Sequence, residues 1–221
     1  MSTVQLTRGR VIATAMALIE AEGAQAVSMA RLATELGCGL VALYSYIPST
    51  QALLDGVAAA VVADVELTES PGACWPARLR AQAQATRRAA AAHPRCTIAV
   101  AGRPPATAAL LRPAEQALGT LRAAGFGGPD AMRILRALAA YQVGCLVLEV
   151  GVAPAVRADE ADWLASSGPV LRPAAFPYLT ALSAEPAAVG AGSSPDTNFE
   201  FGLELLLRGT AGLTAAQPAG S

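Results

Sequence analysis

The 221 residues suffice for one or two domains with a full core. Hydrophobic residues make up 53%, charged residues 15%, and the net charge is −1, which does not fit a strongly basic, nonspecific nucleic-acid binder. Aromatic residues are few, alanine is abundant, and no segment reads as a set of buried strands, so an all-α fold is expected.

The spacing predicts a first helix over 7–22. Thr7 can cap it, Leu6 and Val11 can staple its start, and Gly23 stops it. Val11, Ala15, Leu18 and Ile19 mark its inner face. Residues 28–47, SMARLATELGCGLVALYSYI, read as two short helices around a glycine-bounded turn. Ser28 offers its hydroxyl to a free N–H of the opening turn. Val27 and Leu32 stand at staple positions, and Met29, Leu32, Ala33 and Leu36 form an apolar stripe. Gly37 ends the helix, because only glycine takes a left-handed conformation at little cost. The second short helix covers 40–46, and Pro48 prevents its extension. Helix, tight turn and short helix form the helix-turn-helix pattern, whose second helix enters the major groove of double-stranded DNA. Between Glu35 and Asp55 no residue is charged. That is unusual for a recognition helix, since Arg, Lys, Asn and Gln make the bidentate base contacts.

A fourth helix is expected from after Ser49 to about residue 69, with Leu53, Leu54, Val57, Val61 and Val65 on its buried side. Trp75-Pro76 opens a helix to Ala92, since proline suits a first turn, and His93-Pro94 ends it. A short helix over about 96–101 follows, then one from Pro104-Pro105 to Ala124, stopped by Gly125. A long helix runs from Pro129-Asp130 to about Val150. Its centre, ALAAYQVGCLVLEV, is apolar on more than one face, which a partner chain could cover. Residues 151–172 read as a long loop, 173–184 as a helix, 186–197 as a second loop and 198–210 as the last helix. The expected organisation is a head over 1–48, a connecting helix over 49–69, a larger domain over 70–213 and a disordered tail over 214–221.

Cys38, Cys74, Cys96 and Cys145 are irregularly spaced, and His93 is the single histidine. With no CxxC or Cys/His cluster, no metal site is expected and the cysteines read as reduced thiols. Neither a secretory leader nor a run apolar enough to span a bilayer is recognised, so a cytoplasmic protein without a membrane partner is expected. No GxSxG, phosphate-binding loop or nucleophile–base pair stands out, so no catalytic residue and no cofactor are expected.

Several motifs together carry a family resemblance. An amphipathic helix precedes the helix-turn-helix, the Leu43-Tyr44 pair lies inside it, and Pro48 and the run Ala52-Leu53-Leu54-Asp55 follow it. In this register residues 6–67 closely resemble the N-terminal domain of the tetracycline-repressor (TetR) family. A looser resemblance, to a tetracycline-repressor-like ligand domain, extends to about residue 213. It is carried by Trp75 with Arg80, Arg103-Pro104, Gly125-Phe126, Gly144-Cys145 and FGLELLLRG near the end. The resemblance implies a homodimer in which the helices over 130–150 and 198–210 pair with a second subunit as a four-helix bundle. It also implies a pocket among the helices over 50–67, 75–92, 96–124 and 130–150.

The candidate DNA contacts are Ser28, Arg31, Leu40, Val41, Ala42, Tyr44, Ser45, Tyr46, Ser49 and Thr50. They depart from the family pattern. Ala30 stands where an arginine is common, Leu40, Val41 and Ala42 where polar base-readers often stand, and Thr50 where a phosphate-contacting lysine is common. Apolar side chains can still meet thymine methyls, and N–H groups at the start of the fourth helix can meet phosphate. Tyr44 reads as a phosphate or base-edge contact or as core packing alone. Arg8 and Arg10 lie where family members reach phosphate, or are solvated charge.

The resemblance to a tetracycline-repressor-like ligand domain implies chelation of a magnesium–drug complex partly through a histidine in the short helix after 75–92. Here that stretch is Thr97-Ile98-Ala99-Val100, and a second ligand histidine is matched by Glu66. Metal-free recognition of a small, mostly apolar effector is therefore expected. Gln82 matches a drug-contacting amide, Thr86 an aromatic contact and Arg103 an arginine near the entrance. Glu149 lies one residue from an acidic position. With Gln116, Tyr141, Gln142 and Cys145 they are the candidate ligand-binding residues, the alternative for each being a polar group satisfied between helices. The expected function is a dimeric repressor, not an enzyme, that binds a palindromic operator and is released by its effector. The alternative keeps the fold and loses DNA binding, leaving a small-molecule-binding protein or an unusual enzyme built on Glu149 or Glu66.

Overall fold

The computed structural model describes residues 6–66, 72–150, 174–183 and 194–215. Among the described residues there are ten α-helices and no strand. They are α1 (Arg8–Glu22), α2 (Met29–Leu36), α3 (Leu40–Tyr46), α4 (Thr50–Ala63), α5 (Trp75–Ala92), α6 (Pro94–Val100), α7 (Ala108–Ala123), α8 (Gly128–Val150), α9 (Pro177–Ser183) and α10 (Pro195–Ala215). The all-α expectation holds.

Caps set most of these boundaries. The hydroxyls of Thr7, Ser28 and Ser49 accept from the N–H groups of Arg10, Arg31 and Ala52 at 3.1–3.2 Å. Gly37 is left-handed (φ 63°, ψ 34°). Its N–H donates to Thr34 (3.1 Å) and the Cys38 N–H donates to Ala33 (3.0 Å), the two bonds of a Schellman stop.

Five helices differ from expectation in their bounds, one of them α9, which starts at Pro177 rather than 173. Helix α4 ends at Ala63 rather than near 69, where β-branched Val62 and Val65 flank Asp64 and lower the helix propensity. Helix α6 starts two residues early, because Pro94 fits a first turn. Helix α7 starts late, at Ala108. Pro105 disfavours helical geometry at Pro104, and Thr107 is itself extended. Helix α10 extends at both ends, to Pro195 and Ala215, because the Ser194 hydroxyl accepts from the Thr197 N–H at 3.1 Å and caps an earlier turn. The expected loop over 151–172 and most of that over 186–197 lie outside the described residues.

One expectation is corrected. Gly128–Glu149 is, by length and composition, apolar enough to cross a bilayer, with mean hydropathy 1.4. Polar Tyr141 and Gln142 do not offset its Leu, Val and Ala content. Only 22% of its most apolar stretch is buried within this chain.

Two compact units emerge, residues 1–135 and 136–221. In the first, the head does not close on itself. Its core takes Val11, Ala15, Leu18 and Ile19 from α1, Met29, Leu32 and Ala33 from α2, and Leu43 and Ile47 around α3. Leu53, Val57 and Val61 of α4 and Cys96 of α6 complete it. Farther along this unit, Trp75 meets Phe126 edge-on at 5.3 Å. In the second unit, Tyr141 of α8 stacks on Phe199 of α10 (5.6 Å), and its hydroxyl donates to the Phe199 carbonyl at 2.8 Å.

Gly202 makes that contact possible, since a Cβ there would collide with the ring and hydroxyl of Tyr141. In an open helix Gly→Ala stabilises by roughly 0.5–1 kcal/mol. Gly202→Ala should instead destabilise, by about 1–3 kcal/mol, through overpacking. Denaturant midpoints of the two proteins check the sign.

Candidate functional site

The outward side of α3 follows from what its inward side is tied to. Leu43 and Ile47 are fully buried. With 3.6 residues per turn, Val41, Ala42 and Ser45 fall opposite them, with Leu40 and Tyr44 along one edge and Tyr46 along the other. Val41 is 85% exposed, Tyr44 44% and Leu40 43%. The Ser45 hydroxyl donates to the Val41 carbonyl at 3.3 Å, so its proton is already engaged on its own helix. Of the ten candidate DNA contacts, Leu40, Val41, Ala42, Tyr44, Ser45 and Tyr46 therefore share this one exposed helix. Ser49 and Thr50 open α4 beside it, where first-turn N–H groups have no intrahelical acceptor. Ser28 spends its oxygen capping α2.

Arg31 is placed differently from the other candidates. Its Nε donates to Glu35 (2.9 Å) and its Nη2 to Glu22 (3.2 Å), so two carboxylates already face its one positive charge. These are exposed pairs of small energetic worth, yet they neutralise the cation locally.

Behind the head lies a reciprocal link that sequence reading missed. At the start of α6 the Glu20 carboxylate accepts from the N–H groups of Arg95 (3.3 Å) and Cys96 (2.8 Å). In return the Arg95 guanidinium donates to the Glu20 and Ala21 carbonyls at 3.0 Å, at the end of α1. Each helix end thus supplies what the other lacks. Burial, reinforced by the neighbouring Glu20 carboxylate, pushes the Cys96 thiol up to about 12. A second link joins α4 to the α6–α7 connection, where Arg103 Nη2 lies 2.9 Å from Asp55 Oδ1 and Gln51 donates to the same oxygen at 3.3 Å. His93 Nε2 lies 3.5 Å from Asp64 Oδ2, just past the end of α4, so the single histidine lies beside a carboxylate there. No sequence motif announces the links from Glu20 to α6 or from Arg103 to Asp55, because their members are 48 to 76 positions apart and meet only after packing.

The candidate ligand residues divide between the two units. In the first, Gln82 and Thr86 sit a turn apart on α5. The Gln82 amide donates to the carbonyl of Pro113, one turn before Gln116 on α7, and the Thr86 hydroxyl donates to the Gln82 carbonyl at 3.0 Å. Arg103 turns instead to Asp55. In the second unit Tyr141 is engaged with Phe199, the Gln142 amide donates to Leu138 (3.4 Å), and Cys145 and Glu149 are half-buried on α8. Among the described residues three buried side-chain polar atoms lack a hydrogen-bond partner: Arg103 Nε, Gln116 Oε1 and Gln142 Oε1. All three belong to candidate ligand residues. Buried polar atoms are rarely left unpaired, so each asks for a partner.

Two family models match the chain. "Bacterial regulatory proteins, tetR family" matches residues 11–57, and "Tetracyclin repressor-like, C-terminal domain" matches residues 68–213. The class C tetracycline repressor protein of Escherichia coli is 31% identical over 93% of this chain and 90% of its own length. The HTH-type transcriptional repressor DrrR1 of Streptomyces coeruleorubidus is 29% identical over 95% of this chain and 79% of its own. Among solved structures, the Streptomyces coelicolor TetR family protein ActR in complex with actinorhodin superposes with a TM-score of 0.78 at 28% identity, covering 97% of this chain and all of its own. A TetR variant from Acinetobacter baumannii AYE in complex with minocycline gives 0.68 at 27% identity, covering 95% and 98%.

The thiols give a direct check on the α1–α6 link. At pH 8 iodoacetamide should modify exposed Cys74 and leave Cys96 untouched, read by mass spectrometry of the folded protein. Because the folded thiol holds its proton to about pH 12, its contribution to stability is complete below the unfolded value of 9.0. That contribution should decline as pH rises above it, through ionisation of the unfolded chain.

Proposed function

The chain belongs to the TetR family of transcriptional regulators, and from that premise we propose that it is a dimeric, cytoplasmic repressor of a palindromic operator, released by a small apolar effector. The observation that carries the DNA-binding part is the α3 surface. Two fully buried anchors hold it outward on the second helix of a helix-turn-helix, with Val41 85% exposed. Dimerisation is supported by apolar faces that this chain leaves open on α8 and α10, including Leu148, Phe201, Leu205 and Leu213. A homodimer interface is the usual cover for such faces, and a two-fold dimer calls for two-fold operator half-sites.

The unpartnered atoms of Arg103 and Gln116 support a ligand site in the first unit that supplies their hydrogen bonds. Relatives captured with (S)-DNPA, actinorhodin and minocycline support a small-molecule effector. The donor set favours one bound without a metal. The stretch Thr97-Ile98-Ala99-Val100 carries no histidine, and the single histidine lies beside Asp64. Release follows if the effector binds the DNA-competent and DNA-incompetent states unequally. The Asp55–Arg103 pair and the Glu20–Arg95 link are the contacts through which α6 acts on α4 and on the head. A second reading, the same fold without DNA binding, draws on the pairing of Arg31 with Glu22 and Glu35 and on the charge-free recognition helix.

Mobility shifts on the DNA flanking the protein's own gene separate the two. With Arg31 held by Glu22 and Glu35, phosphate neutralisation by the head rests on few cations. Two heads then neutralise about four phosphates, so log K against log salt should have a slope of roughly −4. Stoichiometry should be two chains per operator. Loss of all sequence preference at low salt would leave the second reading.

The effector side is checked by calorimetric titration of candidate ligands, with and without a chelator. Binding should be unchanged by the chelator. Binding that vanishes when magnesium is stripped would replace the metal-free account with a chelated one.

A further inference from the structure

The outward face of α3 is specific in a way that the family assignment does not supply. Its middle consists of the two methyls of Val41, the methyl of Ala42 and the Ser45 hydroxyl, whose proton goes to the Val41 carbonyl at 3.3 Å. From residue 36 to residue 54 there is no charged side chain, and within α3 there is no amide. Bidentate recognition of guanine by Arg or Lys, or of adenine by Asn or Gln, is therefore closed to this helix. Acceptance from a cytosine amino group by a carboxylate is closed as well. Of the features that base pairs present in the major groove, only the C5-methyl of thymine is apolar. A methyl surface that leaves water gains most against another methyl, and loses where it covers a polar base edge without a hydrogen bond.

We propose that the protein selects its operator chiefly through thymine methyl groups, with Val41 as the principal reader and Ala42 beside it. Each half-site then carries thymine where these two side chains meet the groove floor. Leu40 and Tyr44 line one edge of the contact and Tyr46 the other. The hydroxyls of Tyr44 and Tyr46 remain for phosphates or base edges at the rim. Ser45 keeps an acceptor, and so tolerates a neighbouring amino group without demanding it. The proposal deepens the repressor reading and rests on it.

The test uses the full-length protein and a duplex that it selects from a randomised library. Each thymine of the selected site is replaced in turn by deoxyuridine, which removes the methyl and keeps the pairing edge and O4. At the positions read by Val41 and Ala42, each lost methyl should weaken binding about fourfold, and a symmetric pair of replacements about fifteenfold. Replacing thymine by cytosine there should weaken binding, and 5-methylcytosine should recover part of the loss, because it returns a methyl to the same place in the groove. In Val41→Ala the ratio between thymine and deoxyuridine duplexes should fall toward one at its position. Val41 is exposed, so this variant should keep the wild-type circular dichroism and melting temperature. A selected site that binds equally well with thymine or deoxyuridine throughout overturns methyl readout and leaves the repressor reading standing. A protein that selects no sequence overturns both.

Discussion

The exchange between Glu20 and Arg95 is the contact on which the first unit depends. A helix ends with carbonyls that have no donor and begins with N–H groups that have no acceptor. Here the end of α1 and the start of α6 are brought together, and one acidic and one basic side chain answer both deficits. The charges also lie with the helix dipoles, a carboxylate at an N-terminus and a guanidinium at a C-terminus. Cys96 follows directly, buried with its thiol against the Met16 carbonyl. The head is thereby fastened to the helices behind it. Its core is completed by α4 and by Cys96, so α6 and α1 are joined by hydrogen bonds and packing together.

Charge is distributed in this head to opposite ends of its functions. Polar contacts hold the scaffold: Arg31 between Glu22 and Glu35, Arg95 on α1, and Asp55 held by Arg103 and Gln51. The recognition surface is left to side chains that make no ionic contact. On the proposed reading, affinity from phosphate neutralisation is small and discrimination comes from shape and apolar contact.

The second unit is organised around close approach. Tyr141 occupies the space that Gly202 leaves open, stacks on Phe199 and donates to a backbone carbonyl of α10. Both polar and apolar parts of the ring are thus used, which fixes α8 against α10 more narrowly than aliphatic packing would. Beside this pair the helices keep exposed Leu and Phe side chains, so intrachain packing uses only part of their apolar surface.

Local physics in the sequence by itself determined the helix-turn-helix. The hydroxyl caps at Thr7, Ser28 and Ser49, the left-handed Gly37 and the inner faces of α1 and α4 were all legible, because each depends on neighbours within a few positions. The residues of α3 named as DNA contacts came from the family resemblance, and burial of Leu43 and Ile47 is what holds the helix with Val41 outward. Chain ends of helices were less so: α4 stopped early, and α10 found an earlier cap at Ser194. Only the tertiary structure decided what the long polar side chains do. Arg31 offered a phosphate contact by its place in the motif, yet is held by Glu22 and Glu35. Arg103 suggested a pocket entrance, yet turns to Asp55, and Tyr141 turns to α10. Flexible charged or amphipathic side chains take the partner that packing brings within about 3 Å, and that partner is set by helices far away in the chain.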